Sequence, residues 1–309
     1  MNTLLFLQKL GIEHDVIPQL IREARLPLNP AWGNWRDVDS PEDVFGIVTV
    51  QATVNDEILD HFPNVKVIAV AFTGYDCLDL DACRRRGIAA YNVPGYSTDS
   101  VAELTLALAI SLLRDIPAAD RQMRSGGWRL GSHGIELAGK TVGILGTGAI
   151  GRRAAELFKA CRCKLIGWSR TERKEFADLG GQYLPLPEVL AGADIISLHL
   201  PLGPQTEGII SADELALMKP GAVLINTARG KLVDKAALIQ ALEEQRIRAA
   251  LDVFDEEPLP PGDPIRKLPG TLLTPHLAFQ TREALLRRAR ITIQNIKSFM
   301  DGGDNNRVA

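Results

Sequence analysis

The sequence has few cysteines, few aromatic residues and almost no net charge. Two of its four cysteines, Cys161 and Cys163, are separated by one residue, which is not a zinc-binding spacing, so we expect reduced thiols and no metal. A net charge of −3 over 309 residues gives no sign of a nucleic-acid partner. The apolar stretch 104–113 is too short to cross a bilayer, and no positively charged leader precedes the first predicted strand. We therefore expect a cytoplasmic globular protein, long enough for two domains.

What the sequence does contain is a glycine-rich turn between a predicted strand and a predicted helix. Gly146, Gly148 and Gly151 have the spacing G-x-G-x-x-G, after the apolar run 141–145 and before the helical pattern of 152–160. In a dinucleotide site these glycines allow a tight turn, a close backbone approach to the pyrophosphate and close helix–strand packing. The positive helix N-terminus then faces the phosphates. The pattern predicts a dinucleotide site; a strand–helix turn without a ligand is the alternative.

The end of the next predicted strand, 164–168, indicates which dinucleotide binds. An NAD site has an acidic residue here that binds the ribose hydroxyls. This chain instead has Ser169, followed by Arg170 and Thr171. A carboxylate would repel a 2′-phosphate, whereas a guanidinium can bind it through charge-assisted hydrogen bonds. We therefore expect NADP(H) to be preferred and NAD(H) to be possible, unless Arg170 is only a solvated surface charge.

Predicted strands alternate with predicted helices along the chain, which favours an α/β fold with doubly wound parallel sheets. Besides those already given, the strand candidates are 4–7, 45–50, 65–71, 88–92, 193–200, 222–226 and 249–253. A buried helix is expected at 101–113, with Asp99 or Ser100 as its cap, and a polar helix at 234–244. A last helix is expected at 282–300. Its solvated basic face would carry Arg282, Arg287, Arg288 and Arg290.

Three charged side chains follow predicted strands in the second half of the chain. Arg229 lies in NTARG, Glu257 in DVFDEEP and His276 in TPH. The carboxyl ends of strands in an open α/β sheet line the ligand crevice, so these residues are expected at one edge. Arg can bind a carboxylate through two hydrogen bonds, and His can exchange a proton near neutral pH. Glu can hold the imidazole tautomer, so the set is typical of acid–base chemistry on an anion.

With these motifs the chain resembles the D-isomer-specific 2-hydroxyacid dehydrogenases over residues 45–300. The resemblance rests on FTGYD, NVPGYST, VGILGTGAIG, SLHLPLGPQT, NTARG, LDVFDEEP and TPH. NVPGYSTDSVAE is most similar to the glyoxylate/hydroxypyruvate reductase (glycerate dehydrogenase) branch. The resemblance implies two Rossmann-like or flavodoxin-like domains with parallel sheets and an interdomain cleft. Residues 1–98 plus 277–309 would bind the substrate and 99–276 the dinucleotide, in a homodimer whose subunits meet near the helix 101–113.

The resemblance also implies roles for individual residues. His276 would be the proton donor in reduction, Glu257 would orient it, and Arg229 would bind the substrate carboxylate. The backbone N–H groups of Thr73 and Gly74 would hold the other carboxylate oxygen. The expected cofactor residues are Thr98, Gly146, Gly148, Ala149, Ile150, Ser169, Arg170, Thr171, Thr227, Ala228 and Asp252.

The predicted function is NADPH-dependent reduction of a small 2-oxo acid, of the glyoxylate or hydroxypyruvate type, to the D-2-hydroxy acid. Phe279, in the LAFQ that follows TPH, is closer to the D-lactate dehydrogenases and can line the pocket, so a D-lactate-type reductase using NADH is an alternative. A dinucleotide-sensing corepressor without turnover is another. Formate-specific relatives replace the Glu beside His, so Glu257 argues against formate. His199 is expected to form part of the cofactor wall, and Trp32 and Trp35 have no assigned role.

Overall fold

The protein is described here by a computed structural model that covers residues 2–13, 15–128, 131 and 133–309. The chain divides into two compact units, Met1–Ser97 with Gln280–Ala309, and Thr98–Phe279. Each unit is built on one parallel sheet, of five strands in the first and seven in the second. The α/β fold class predicted from the sequence is therefore confirmed.

The first unit has the sheet order β2-β1-β3-β4-β5. Its elements before residue 97 are β1 (Thr3–Phe6), α1 (Val16–Glu23), β2 (Asn29–Trp32), β3 (Val44–Thr49), α2 (Asp56–His61), β4 (Val67–Val70), α3 (Leu80–Arg86) and β5 (Ala89–Tyr91). Every residue of β4 is buried, as a central parallel strand requires. Local signals set the ends of α3: the Asp79 side chain accepts a hydrogen bond from Ala82 N, and Gly87 ends the helix at φ +64°.

The second unit has the sheet order β12-β11-β10-β9-β6-β7-β8. Its elements are α4 (Thr98–Leu113), α5 (Ile116–Arg124), β6 (Thr141–Leu145), α6 (Ala149–Ala160), β7 (Lys164–Trp168), α7 (Lys174–Asp178), β8 (Gln182–Tyr183), α8 (Leu186–Gly192), β9 (Ile195–Leu198), α9 (Ala212–Leu217), β10 (Val223–Asn226), α10 (Lys235–Glu243), β11 (Arg248–Leu251) and β12 (Thr271–Leu273). The central strands β9 and β10 are completely buried. Strand order reverses between β6 and β9, which is where doubly wound sheets bind ligands.

The last helix, α11 (Arg282–Met300), belongs to the first unit and packs against β4 and α1. The predicted solvated basic face of this helix is wrong for Arg288, whose residue surface is 2% exposed. Its Nη2 atom donates to the Leu10 carbonyl oxygen at 2.5 Å. Arg287 Nε likewise donates to the Tyr96 carbonyl oxygen at 2.9 Å. These two side chains reach loop carbonyls in the first unit, which the helical spacing alone did not indicate.

Other differences from the sequence-based expectations are local. The helix α4 begins at Thr98, so Asp99 and Ser100 lie in its first turn and are not its caps. β2 was not predicted, because Asn and Pro disfavour strands, but Pro30 is tolerated at the edge of the sheet. In the part of the chain that the structure covers, no helix combines the length and the apolar character needed to cross a bilayer.

Candidate active site

The glycine turn between β6 and α6 has the geometry that a dinucleotide requires. Gly146 has φ +96°, and a Cβ atom there would lie 2.7 Å from the His199 carbonyl oxygen. A Cβ on Gly151 would lie 2.0 Å from the Gly146 carbonyl oxygen, so only glycine permits this packing of helix on strand. Gly148, by contrast, is exposed and has open space where a Cβ would be. The N-terminus of α6, with Ala149 and Ile150, is therefore accessible to a pyrophosphate.

The residues after β7 are polar and accessible. Ser169 is partly exposed, and Arg170 and Thr171 are exposed. Among the residues that the structure describes, none forms a hydrogen bond or ion pair with the Arg170 guanidinium. Its five N–H donors are thus available to an anion, and Ser169 occupies the position where an acidic residue would bind ribose hydroxyls.

Arg229 is held by a turn that a buried asparagine organises. Asn226, at the end of β10, is 1% exposed, and its Nδ2 atom donates to the Arg229 carbonyl oxygen at 2.8 Å. Its Oδ1 atom accepts from Ala228 N at 3.0 Å. The Thr227 hydroxyl lies 3.1 Å from that of Thr105 on α4. Asn226 was not singled out in the sequence, although a polar residue ending a buried strand is a signal for such a turn.

Gly230, the next residue, brings this turn against the loop that carries Glu257. A Cβ on Gly230 would lie 2.1 Å from the Phe254 carbonyl carbon and 2.4 Å from Asp255 N. Glu257 in turn accepts a hydrogen bond from Phe254 N at 2.9 Å. The positions of Arg229 and Glu257 are thus coupled through one close backbone contact.

His276 and Glu257 form a hydrogen-bonded pair. The distance between His276 Nδ1 and Glu257 Oε2 is 2.6 Å, and their side chains are 16% and 28% exposed. Although burial raises the pKa of Glu257, the hydrogen bond and charge of His276, the N–H of Phe254 and the nearby Arg229 guanidinium outweigh it and hold this pKa below its usual value. An ionised carboxylate therefore fixes Nδ1 as the protonated nitrogen of the ring, which leaves proton exchange to Nε2.

Asp252 holds the loop on which His276 lies. Its carboxylate is fully buried and accepts hydrogen bonds from the Thr274 hydroxyl at 2.6 Å, Leu277 N at 2.9 Å and Ala278 N at 2.9 Å. Burial raises the pKa of Asp252, although these bonds oppose the shift. The Asp252 carbonyl oxygen also accepts from His276 N at 2.7 Å, and His276 has φ +50°. The histidine is thus attached to β11 by several bonds in a backbone conformation that is uncommon for a non-glycine residue.

Two further side chains lie near these groups: Phe279 is beside His276, and His199 is beside the glycine turn. The Phe279 ring meets the His276 ring edge to face, with 5.5 Å between their centroids. His199, at the end of β9, accepts or donates a hydrogen bond with the Ser197 hydroxyl at 2.9 Å through Nε2. Burial lowers the pKa of His199 to about 4, so this imidazole is neutral at pH 7.

The remaining expected site residues lie outside this group. Thr73 and Gly74 belong to the first unit and follow β4, where Asn92 Nδ2 donates to the Thr73 carbonyl oxygen at 2.7 Å. The neighbouring loop after β3 is held by Gln8, which sequence reasoning missed. Gln8 Oε1 accepts from the backbone N–H groups of residues 50, 51 and 52 at 3.0, 2.7 and 2.8 Å. Thr98 is the first residue of α4 in the second unit.

Comparisons with known proteins agree on one family. The family profile described as "D-isomer specific 2-hydroxyacid dehydrogenase, NAD binding domain" matches residues 106–278. The chain is 42% identical over 256 residues to a glyoxylate reductase of Aeropyrum pernix, covering 80% of this chain and 76% of that protein.

Solved structures extend the likeness over the whole chain. The D-lactate dehydrogenase of Aquifex aeolicus, solved with NAD and lactic acid, matches with a TM-score of 0.88 and 29% identity over 99% of each chain. An acyclic imino acid reductase solved with NADPH and D-Arg also has a TM-score of 0.88 and 29% identity, over 99% of this chain and 100% of that one.

Proposed function

We propose, on the premise that this chain belongs to the D-isomer specific 2-hydroxyacid dehydrogenase family and is an NAD(P)-dependent enzyme of it, that the enzyme reduces glyoxylate or hydroxypyruvate with NADPH. The family match and the similarity to a glyoxylate reductase support the reduction of a 2-oxo acid by a D-2-hydroxyacid dehydrogenase. The choice of substrate and of NADPH is the proposal.

The observation that carries the proposed chemistry is the Glu257–His276 pair with Arg229 beside it. The Arg229 guanidinium binds the substrate carboxylate through paired hydrogen bonds, and its charge stabilises the negative charge that develops at the reacting oxygen. His276 donates a proton from Nε2 to that oxygen, which becomes the hydroxyl of the product. The ionised Glu257 stabilises the imidazolium that precedes this transfer.

The second unit has the features that a nicotinamide dinucleotide needs, and when bound the dinucleotide supplies the hydride. The exposed Gly148 and the N-terminus of α6 fit the pyrophosphate, and Arg170 fits a 2′-phosphate. The similar solved structures were obtained with NAD in one case and NADPH in another, so the strand end after β7 is the feature that favours NADPH. Ser169 and Thr171 add hydroxyl donors there.

Other roles follow from the same family. We assign the N–H groups of Thr73 and Gly74 to the substrate carboxylate, and the residues 1–98 and 277–309 to substrate binding, with 99–276 binding the dinucleotide. Thr98, Thr227 and Ala228 are assigned to the cofactor. We assign Asp252 to the nicotinamide end of the cofactor site. Its carboxylate already accepts three hydrogen bonds from the loop that carries His276, so its contribution is to hold that loop.

A D-lactate-type reductase is the second candidate, and the contact between Phe279 and His276 favours it. An aromatic ring against the imidazole shapes the space in which a substrate side chain would lie. The two candidates differ in their best substrate and cofactor, so one assay separates them: NADPH and NADH, each with glyoxylate, hydroxypyruvate, pyruvate and phenylpyruvate. We expect the highest kcat/KM with NADPH and glyoxylate or hydroxypyruvate. Highest kcat/KM with NADH and pyruvate would establish the D-lactate type, and no turnover with any pair would favour a dinucleotide-sensing corepressor.

We also propose that the chain forms a homodimer in the cytoplasm. Large apolar side chains are exposed in and after α5: Ile116 (47%), Met123 (52%), Trp128 (78%) and Ile135 (41%). Exposed apolar side chains that cluster on a surface are typical of a protein–protein contact, and these four lie within twenty residues of the sequence. Sedimentation equilibrium of the wild type should give twice the mass of the chain, and Trp128→Glu should weaken the association. A wild-type monomer at micromolar concentration would contradict the homodimer.

A further inference from the structure

A single phenol connects the glycine turn to the loop after β7. The Tyr183 hydroxyl, on β8, lies 2.7 Å from the hydroxyl of Thr147, the residue between Gly146 and Gly148. The same Tyr183 oxygen accepts a hydrogen bond from Arg173 N at 2.8 Å. Thr147 is fully buried, so its hydroxyl has little access to water as a substitute partner. The loop 169–173 and the glycine turn are thus joined through one atom.

Of these two bonds, the one from Arg173 N has a fixed direction, whereas either hydroxyl can donate in the other. Because Tyr183 accepts at 2.8 Å from Arg173 N, its own proton is available to the Thr147 hydroxyl at 2.7 Å. The competing acceptor, the Arg173 carbonyl oxygen, is 3.5 Å away. The short bond therefore goes to the glycine turn, and the phenol acts as a bridge between two backbone segments.

The Tyr183 ring packs against a buried aromatic side chain. The ring lies 5.0 Å, centroid to centroid, from that of Phe176, which is fully buried. Cβ atoms at Gly167 and Gly181 would lie 2.7 and 2.4 Å from Phe176 ring atoms, so glycines on β7 and before β8 make the space for it. The contact with Phe176 thus restricts the positions that the Tyr183 ring can adopt.

We infer that Tyr183 is a positioning residue for cofactor choice: it holds the loop that carries Arg170 and Thr171 in register with the pyrophosphate-binding turn. This inference rests on the proposed NADPH preference. In NADPH the pyrophosphate and the 2′-phosphate are separated by one ribose, so their distance is nearly fixed. A protein that binds both must hold its two anion-binding loops at the matching distance, whereas NADH engages only the first.

The test is Tyr183→Phe, which removes the bridging oxygen and leaves the ring. We expect the Kd of NADPH, measured by fluorescence titration without substrate, to rise about threefold to tenfold, because the oxygen that joins Thr147 to Arg173 N is lost with its hydrogen bonds. The Kd of NADH should change by less than about twofold, because NADH has no 2′-phosphate for Arg170 in this loop to bind. The value of kcat with saturating NADPH should stay the same. The ratio of the two Kd values separates positioning from general loss of structure.

Tyr91→Phe is the matched control, because it also removes a tyrosine oxygen that forms a hydrogen bond, to the Gly303 carbonyl at 2.9 Å, but in the first unit. It should lower the Tm without changing the ratio of the cofactor Kd values. Thr147→Val removes the other end of the bridge, and should act in the same direction as Tyr183→Phe. The double variant should lose no more NADPH affinity than Tyr183→Phe alone, because that variant already lacks the bond to Thr147.

The outcomes distinguish the inference from the function on which it rests. A wild type that binds NADPH more tightly than NADH, with the same ratio in Tyr183→Phe and Thr147→Val, would overturn the inference and leave the proposed function intact. A wild type that prefers NADH would overturn the NADPH preference itself. If Tyr183→Phe does not fold, the comparison of Thr147→Val with the wild type decides the question.

Discussion

The carboxylate of Glu257 lies 2.6 Å from His276 Nδ1 and at the same time accepts the N–H of Phe254. The pair is therefore not a chance surface contact: the acid is fixed by its own loop before it meets the imidazole. The arrangement places an ionised carboxylate against Nδ1 and leaves Nε2 for proton transfer, and the first predictions concern these two residues.

Glu257→Gln should move the pH profile of reduction to lower pH. Reduction needs the protonated imidazole, and the amide lacks the negative charge that stabilises it, so the alkaline limb of kcat/KM should begin earlier. Glu256→Gln, a change at the exposed neighbouring carboxylate, should leave the limb in place. An alkaline limb that stays or moves upward in Glu257→Gln would refute the electrostatic role of this residue.

His276→Ala should lower kcat for glyoxylate reduction by about 10²-fold or more, the usual contribution of a general acid. The Kd of NADPH should remain close to that of the wild type, because the imidazole acts on the substrate oxygen. Steady-state kinetics with saturating NADPH measures the first effect, and fluorescence titration the second. His133→Ala, at an exposed histidine with no assigned role, is the control. A kcat that is equal in the two variants would exclude His276 as the proton donor.

Gly230→Ala should impair both stability and catalysis. The added methyl would meet the backbone of Phe254 and Asp255 at 2.1 and 2.4 Å, and relieving this requires the turn with Arg229 or the loop with Glu257 to move. Overpacking of this kind costs about 1–3 kcal/mol in the free energy of unfolding, which urea denaturation measures. We also expect kcat to fall and the pH profile to shift in the direction of Glu257→Gln. Gly203→Ala, where a Cβ meets nothing within 4 Å, should be neutral in both measurements.

The neutral state of His199 predicts a pH dependence of stability. Burial lowers its pKa from 6.5 to about 4 in the folded protein. Between these two pH values, His199 is therefore protonated in the unfolded chain and neutral in the folded protein. The free energy of unfolding should therefore fall as the pH drops from 6.5 to about 4, by on the order of 1–3 kcal/mol. His199→Gln should show a shallower decrease over the same range in urea denaturation without cofactor. Identical slopes in the two proteins would contradict this account.

How much the sequence could predict depends on how local each signal is. The strand β6, the turn at Gly146 and the helix α6 follow from contiguous residues, and the structure has them within a few residues of the predicted positions. Gln8 and residues 50–52 are far apart in the chain, so no local pattern could show that one side chain oxygen collects three backbone donors.

Arg288 shows a second limit of sequence reasoning. Helical spacing puts it at the border of the apolar stripe, and an arginine there is expected in water. The decisive fact, that the Leu10 carbonyl lies within reach of the guanidinium, comes from the distant N-terminal segment. The same holds for Asn226 and Tyr183, whose polar atoms organise loops around the site: their residue types indicate loop chemistry, but their partners are set by the tertiary fold.

We propose that this protein reduces a small 2-oxo acid with NADPH to the D-2-hydroxy acid. The most direct test is to supply hydroxypyruvate with NADPH or NADH, follow oxidation of the cofactor by absorbance, and determine the configuration of the glycerate by chiral chromatography. The account predicts a higher kcat/KM with NADPH and D-glycerate as the product. L-glycerate, or a higher kcat/KM with NADH, would contradict it.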